Sequence, residues 1–106
     1  MEAEVSRLLG MRTAWIAASG GLPGTEGSAA KLFSAEHNQH HHWDLLDILG
    51  AEAVLQRESG VAPLSAAVEE AFRAGVVGTI YGGSSEIMRE IVAERVLGLP
   101  RARSKS

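Results

Sequence analysis

The sequence of 106 residues contains no cysteine, only three prolines and few aromatic residues. Without cysteine the chain can form no disulfide, no thiol nucleophile and no thiolate metal site, which is compatible with an intracellular location. No apolar run approaches the roughly 18 residues of a membrane span. The acidic start also lacks the basic region and cleavage site of a signal peptide. We therefore expect a cytoplasmic protein with no membrane span.

The residues that are present favour helices. Hydrophobic residues make up 45% of the chain and aromatic residues only 5%, so small and branched aliphatic side chains must fill the core. A chain of this length forms about one small domain. The formal net charge of −3 gives no electrostatic reason to expect a nucleic-acid partner. The composition predicts a single all-α domain.

The spacing of apolar residues predicts four helices, two of them in the first half of the chain. The first covers residues 2–19 and begins without a capping residue. The second follows Thr25 as its N-cap and ends at Leu49, with Gly50 as the stop. Short connections between four helices predict an antiparallel bundle.

A third helix is predicted over residues 63–77, because Pro63 is tolerated in a first helical turn. Its buried face is expected to comprise Ala67, Val68, Ala71, Phe72 and Gly75.

The last helix is predicted to begin after Ser84 as its N-cap and to close at Gly98, which suits a left-handed position before Pro100. The expected buried side consists of Ile87, Ile91 and Val92, with Met88 and Val96 flanking it. The bundle would then occupy residues 1–100, and residues 101–106 would form a disordered tail.

A histidine-rich stretch, HNQHHHWD, contains His37, His40, His41 and His42. Residues four apart share a helix face, so His37 and His41 could bind a metal together. The sequence offers no third ligand, and the HExxH pattern is absent. The pattern therefore favours a solvated or interface-facing histidine patch, and no metal ligand is predicted.

Other candidate chemistries are also weak. Ser84 and Ser85 do not lie in the G-x-S-x-G pattern of a serine hydrolase. Two groups of carboxylates could each supply a carboxylate pair for acid-base chemistry. Both groups are explained equally well as charges on the outer face of a bundle. These groups are Asp44, Asp47 and Glu52, and the neighbours Glu69 and Glu70.

The glycine-serine turn TIYGGSSEI, residues 79–87, precedes the last helix. A helix N-terminus presents unpaired backbone N–H groups, and a turn without bulky side chains lets an oxygen-rich ligand approach them. The alternative is a flexible connection capped by Ser84, which these physical considerations alone favour. Neither the Walker A nor the Rossmann pattern is present.

The stretch GTIYGGSSEIMREIVAERVLGLPR, residues 78–101, resembles the carboxy-terminal signature of flavin-dependent acyl-CoA dehydrogenases. Residues 24–55 resemble the long helix of that family and the glycine-containing corner after it. The resemblance extends over nearly the whole chain. It implies a partial carboxy-terminal helical bundle, with the amino-terminal and middle domains of the family missing from this sequence.

The resemblance also implies roles for the turn. In many family members the catalytic base directly follows the tyrosine, and Gly82 occupies that place here, so this chain supplies no base from that position. The backbone N–H of Gly82 would bind the thioester carbonyl of an acyl-CoA, with Tyr81 and Gly83 beside the substrate. Ser84, Ser85 and Glu86 match the family step that contacts FAD.

A second flavin contact is implied at the corner after the second helix, where Asp47, Gly50 and Ala51 match the segment that approaches the adenine-diphosphate end of FAD. An acidic side chain near a pyrophosphate is electrostatically unfavourable. Gly50 as a simple helix stop is the alternative reading of this corner.

The implied function is a part of an acyl-CoA dehydrogenase that catalyses α,β-dehydrogenation of an acyl-CoA thioester. This part would contribute contacts to FAD and the thioester but no catalytic base, and the isolated chain is expected to be inactive and to bind FAD weakly or not at all. The expected partner is a second copy or a fuller acyl-CoA dehydrogenase subunit. The alternatives are a non-catalytic subunit and a stand-alone helical interaction domain.

Overall fold

The computed structural model describes residues 1–101, and within that range the chain forms four α-helices and no strand. The all-α prediction with about four helices is confirmed. None of these helices has an apolar stretch of the length needed to cross a membrane. The helices are α1 (Glu2–Ala18), α2 (Thr25–Leu49), α3 (Ala67–Gly78) and α4 (Ser85–Arg95).

The predicted tail, residues 101–106, lies outside the described residues except for Arg101. The Nε atom of Arg101 is 3.2 Å from Oε2 of Glu94 on α4. Gly98 adopts the predicted left-handed conformation with a φ of 67°. The N–H of Leu99 then turns back to the carbonyl of Ala93, so the chain after α4 folds against the end of that helix.

The centre of the fold is α2, because α1, α3 and α4 each pack against it and hardly touch one another. The contacts between α1 and α2 move toward the start of α2 as α1 advances. The hydroxyl oxygens of Ser6 and Ser34 lie 2.6 Å apart, and Arg12 lies 3.8 Å from Glu26. These two helices are therefore antiparallel.

The helices α3 and α4 occupy successive parts of α2. Trp43 and Phe72 meet edge to face near the C-terminal end of α2, with their ring centroids 5.6 Å apart. Nearer the N-terminal end of α2, Arg89 pairs with Glu36 at 2.7 Å. Hence α3 and α4 follow one another along α2 in the same direction, and the turn between them lies over the middle of α2.

Two predicted helix starts were wrong. The N-cap of α2 is Gly24, and Thr25 is already the first helical residue, so its side chain caps nothing. The third helix begins at Ala67 instead of residue 63, because Leu64, Ser65 and Ala66 have positive φ angles. Residues in the left-handed conformation cannot be part of a right-handed helix, so α3 begins only after them.

Few apolar side chains are buried in the part of the chain that the structure describes. Gly75 is buried as predicted, but Ala67 is exposed because it begins the helix beside the left-handed turn. On α4, Met88 is 9% exposed and Ile87 is 38% exposed. The prediction that Ile87 lies on the buried side and Met88 only flanks it was therefore wrong. Neighbouring residues on a helix point about 100° apart. A small error in the direction of the buried face therefore exchanges the buried residue with its neighbour.

The fold is open. Its radius of gyration is 17.5 Å, whereas a compact domain of this length has a radius of about 13 Å. No residue of α1 is buried, and Leu8, Met11 and Trp15 on that helix are each more than half exposed. The helices thus expose apolar surface that a compact domain of this length would bury.

Candidate functional site

The turn between α3 and α4 is a short, closed segment over residues 79–84. Its ends are joined by a hydrogen bond of 2.9 Å from the N–H of Ser85 to the carbonyl of Thr79. Gly82 and Gly83 have positive φ angles of 66° and 96°. A side chain on Gly83 would overlap the methyl group of Met88, whereas one on Gly82 would meet nothing within 4 Å. Gly83 is therefore required both for its backbone conformation and for space.

Ser84 caps α4 as the sequence predicts, since its hydroxyl oxygen accepts the N–H of Ile87 at 3.4 Å. The pKa of Glu86 lies below its ordinary value, first because its carboxylate accepts its own backbone N–H and then because the hydroxyl of Ser84 donates to it. Arg89 and Lys31 add smaller attractions. The start of α4 therefore holds an anionic carboxylate beside its positive end.

Three consecutive backbone donors in the turn are unpaired. Within residues 1–101, the N–H groups of Gly82, Gly83 and Ser84 donate to no other group. The next N–H along the chain, that of Ser85, is already bonded to Thr79. Unpaired N–H groups at the start of a helix suit a ligand oxygen that carries negative charge.

A cavity of about 640 Å³ opens between α1, α2 and the turn. Tyr81 and Gly82 form the edge that the turn contributes. Lys31 forms part of the α2 wall, and its Nζ donates to the carbonyl of Gly83 at 2.5 Å. The other lining residues are small or polar and come from α1, α2 and the end of α3: Ala3, Ser6, Ser34, Ala35, His37, Asn38, His41 and Gly78.

A second cavity, of about 380 Å³, lies beside the same turn and is lined by Thr79, Ile80, Ser85 and Glu86 together with residues of α2 and α4. Ser85 is 6% exposed, and its hydroxyl oxygen is buried without a hydrogen-bond partner among the residues described. An orphaned hydroxyl of this kind is uncommon in folded proteins. Ser85 is one of the predicted cofactor-binding residues, between Ser84 and Glu86.

The second predicted group, Asp47, Gly50 and Ala51, lies away from the turn. These residues line a separate cavity of about 500 Å³ at the C-terminal end of α2. Gly50 ends the helix with a φ of 78°, and its N–H donates to the carbonyl of Leu46. At a rise of 1.5 Å per residue, Gly50 is about 28 Å along α2 from Lys31. The fold therefore does not bring the two predicted groups together within one chain.

The histidine patch lies along α2 as predicted. The ring of His37 lies between those of Phe33 and His41, stacked on the first and tilted to the second, with centroid distances of 6.0 and 5.9 Å. Its Nδ1 lies 3.0 Å from Oε2 of Glu2 on α1, although their orientation makes no hydrogen bond. No group of three residues of the metal-binding types surrounds a common point in the described range.

The acidic neighbours on α3 are occupied by arginines. Glu69 pairs with Arg73 at 2.6 Å, and Glu70 pairs with Arg57 at 2.8 Å. The hydrogen bond from Arg57 holds the pKa of Glu70 below its ordinary value. Both carboxylates thus have structural partners. Glu70 is partly exposed, as expected for a charge on the outer face of the bundle, whereas Glu69 is buried, so that expectation was wrong for Glu69.

Glu86→Gln is expected to change the pH dependence of stability. Because the folded-state pKa of Glu86 is lowered, its contribution is present above the unfolded value of about 4.3 and is lost as the pH falls through the folded value. We expect the wild-type chain to have the higher urea midpoint at pH 7 and the two midpoints to converge below pH 4. A constant difference between the midpoints across this range would contradict the assignment.

Comparison with known proteins places this geometry in a family. The model of the acyl-CoA dehydrogenase C-terminal domain matches residues 1–97. The chain belongs to the acyl-CoA dehydrogenase family. The acyl-CoA dehydrogenase FadE26 of Mycobacterium tuberculosis is 39% identical over 77 residues, which are 73% of this chain and 19% of that protein.

Two further acyl-CoA dehydrogenases share a short segment with this chain. The proteins named IpdE1 from Mycobacterium tuberculosis and Mycolicibacterium smegmatis are each 83% identical over 23 residues, which are 22% of this chain and 6% of theirs. One segment of this acyl-CoA dehydrogenase domain is therefore much more similar to IpdE1 than the domain is to FadE26 as a whole.

The fold is shared with one chain of a solved protein complex. The crystal structure of the ChsE4-ChsE5 complex from Mycobacterium tuberculosis superposes with a TM-score of 0.85 at 36% identity, over 95% of this chain and 26% of that one. This chain thus spans about a quarter of the matched chain in that complex and about a fifth of FadE26.

Proposed function

We propose that this chain contributes the substrate-polarising turn of a flavin-dependent acyl-CoA dehydrogenase and performs that role within a larger assembly. The observation that carries the proposal is the run of three unpaired N–H groups at residues 82–84, next to a cavity of about 640 Å³. The family membership supplies the reaction class, which is α,β-dehydrogenation of an acyl-CoA thioester.

Removal of the α-proton of a thioester leaves negative charge on the carbonyl oxygen. A backbone N–H that is fixed before reaction stabilises such a charge, since it needs no reorganisation when the charge develops. In this proposal the N–H of Gly82 donates to the thioester oxygen, and Tyr81 and Gly83 flank the acyl group. Gly82 has no side chain, so the proton goes to a carboxylate outside this chain.

The residues of the turn fit a flavin in part. Ser84 offers an unpaired N–H, and the buried hydroxyl of Ser85 has no partner among the described residues. Bound FAD would supply the acceptor for the β-hydride. At the far corner, the carboxylate of Asp47 is exposed and would repel a pyrophosphate. The contribution of Ser84, Ser85 and Glu86 is therefore better supported than that of Asp47, Gly50 and Ala51.

The open shape favours a role inside an assembly over a free-standing domain. A radius of gyration of 17.5 Å and exposed apolar residues on α1 are expected of a part of a larger assembly in which other helices cover this surface. We propose that the cover is a fuller acyl-CoA dehydrogenase subunit in the cytoplasm. A non-catalytic subunit would associate in the same way, but removal of the Gly82 N–H would then leave the rate of the reaction unchanged.

An amide-to-ester replacement at Gly82 tests the proposal, because it removes one N–H and leaves the chain otherwise unchanged. The chain is tagged, purified from its own cells with its partners, and assayed for bound flavin and for acyl-CoA-dependent reduction of an electron acceptor. A chain with glycolic acid at position 82, made by ligation and reconstituted with those partners, is expected to lose about 100- to 1,000-fold in kcat.

The same replacement at Gly98 is the matched control, since it lies in the same synthetic segment beyond the far end of α4. It should leave kcat within a factor of about two. Equal effects at both positions would refute the role of Gly82. Recovery of the chain without partners, flavin or turnover would favour the stand-alone interaction domain.

A further inference from the structure

Lys31 lies on α2 and contacts the turn, although no sequence motif singled it out. Its Nζ donates to the carbonyl oxygen of Gly83 across 52 positions of sequence, and the bond is partly buried. This is the one side-chain hydrogen bond from α2 to the turn within the described residues. A hydrogen bond with a charged donor is shorter and about twice as strong as one between neutral groups.

The carbonyl of Gly83 and the N–H of Ser84 belong to one peptide group. In a trans peptide these two bonds point in opposite directions, and no peptide in the described chain is cis. When Lys31 holds the carbonyl on the side of α2, the N–H of Ser84 is directed away from it. The orientation of this donor therefore depends on the bond that Lys31 makes.

This peptide group needs such an anchor. Gly83 has no Cβ, and glycine populates φ angles of both signs about equally, so the plane after it rotates more easily than a plane between two residues with side chains. The methyl group of Met88 occupies the space beside Gly83 but bonds to nothing polar there. The N–H of Ser84 has no protein partner within residues 1–101 that could hold the plane from the other side.

We propose that Lys31 is a positioning residue that fixes the Gly83–Ser84 peptide group, so that the Ser84 N–H stays available to the oxygen or nitrogen acceptor of a bound flavin. The inference rests on the proposed function only for the identity of that acceptor. The orientation itself is a property of the chain without a ligand.

The first test uses the full ¹⁵N-labelled chain without ligand and compares the wild type with Lys31→Met and Lys31→Arg. Residual dipolar couplings report the direction of each N–H bond. We expect Lys31→Met to change the coupling of Ser84 by more than half its value while couplings across α2 and α4 stay unchanged. Lys31→Arg, which keeps a charged donor, should restore the wild-type coupling. An unchanged Ser84 coupling in Lys31→Met would overturn the proposal, as would changes spread over both helices.

The second test measures flavin retention in the assembly purified through this chain. Lys31→Met is expected to raise the Kd for FAD about tenfold, and Lys31→Arg to stay within a factor of about three of the wild type. A changed Ser84 coupling with an unchanged Kd would refute the link to flavin. If the wild-type assembly binds no flavin, the proposed function fails, and the ligand-free couplings still decide whether Lys31 orients the turn.

Discussion

Gly83→Ala is expected to lower the free energy of unfolding by about 3 kcal/mol, the largest effect of any single methyl group added to the turn. The backbone at Gly83 has a φ of 96°, which an L side chain rarely adopts. The new methyl would also displace the end of Met88, one of the few buried apolar side chains. Thermal or urea unfolding of the full chain measures the change.

Gly82→Ala is the matched control, because Gly82 also has a positive φ but a side chain there would meet open space. Its expected cost is about 1 kcal/mol, the usual penalty for a left-handed conformation. Met88→Ala provides the second control. If the overlap with Met88 contributes, Gly83→Ala should cost about 1 kcal/mol less when Met88 is already alanine. Equal costs in the two backgrounds would show that backbone strain alone is responsible.

Phe72→Ala is expected to cost about 2 kcal/mol, because its ring forms the edge-to-face contact with Trp43 that joins α3 to the C-terminal half of α2. Both side chains are partly exposed, which keeps the expected cost below that of a fully buried phenylalanine. The loss should also loosen α3, which leads into the turn. The change in the urea midpoint gives the magnitude.

Tryptophan fluorescence identifies the contact that is lost. In a Trp15→Phe background, Trp43 is the only tryptophan in the chain, so its emission reports on Phe72. Val77→Ala, on the same helix and 54% exposed, should change neither the emission nor the midpoint appreciably. A cost of Phe72→Ala no larger than that of Val77→Ala would contradict this role for the aromatic pair.

The predictions that the structure confirms depend on local chemistry. Ser84 caps α4, Gly50 ends α2, and Gly98 takes a left-handed conformation beyond the end of α4, because each of these functions needs a particular residue type within a few positions of the helix end. The number of helices followed from composition and from clear glycine and proline breaks. The family resemblance covers nearly the whole chain, and the family-model match confirms that the chain belongs to the family.

Two features of the structure were not predicted because no local sequence pattern marks them. Leu64, Ser65 and Ala66 adopt left-handed angles although none of these residue types favours them, so no sequence signal marks that turn. The role of Lys31 was missed because its bond joins residues 52 positions apart. A lysine within the otherwise apolar stretch AAKLF is the one hint that the sequence offers.

The central position of α2 has a consequence for cooperativity. Because α1, α3 and α4 dock on α2 and hardly on each other, the energetic effects of substitutions in α1 and α4 should add, with coupling below about 0.5 kcal/mol. Each outer helix can also open locally while the other two remain docked. Hydrogen exchange should therefore release the amides of α1, α3 and α4 at separate rates, with those of α2 exchanging last.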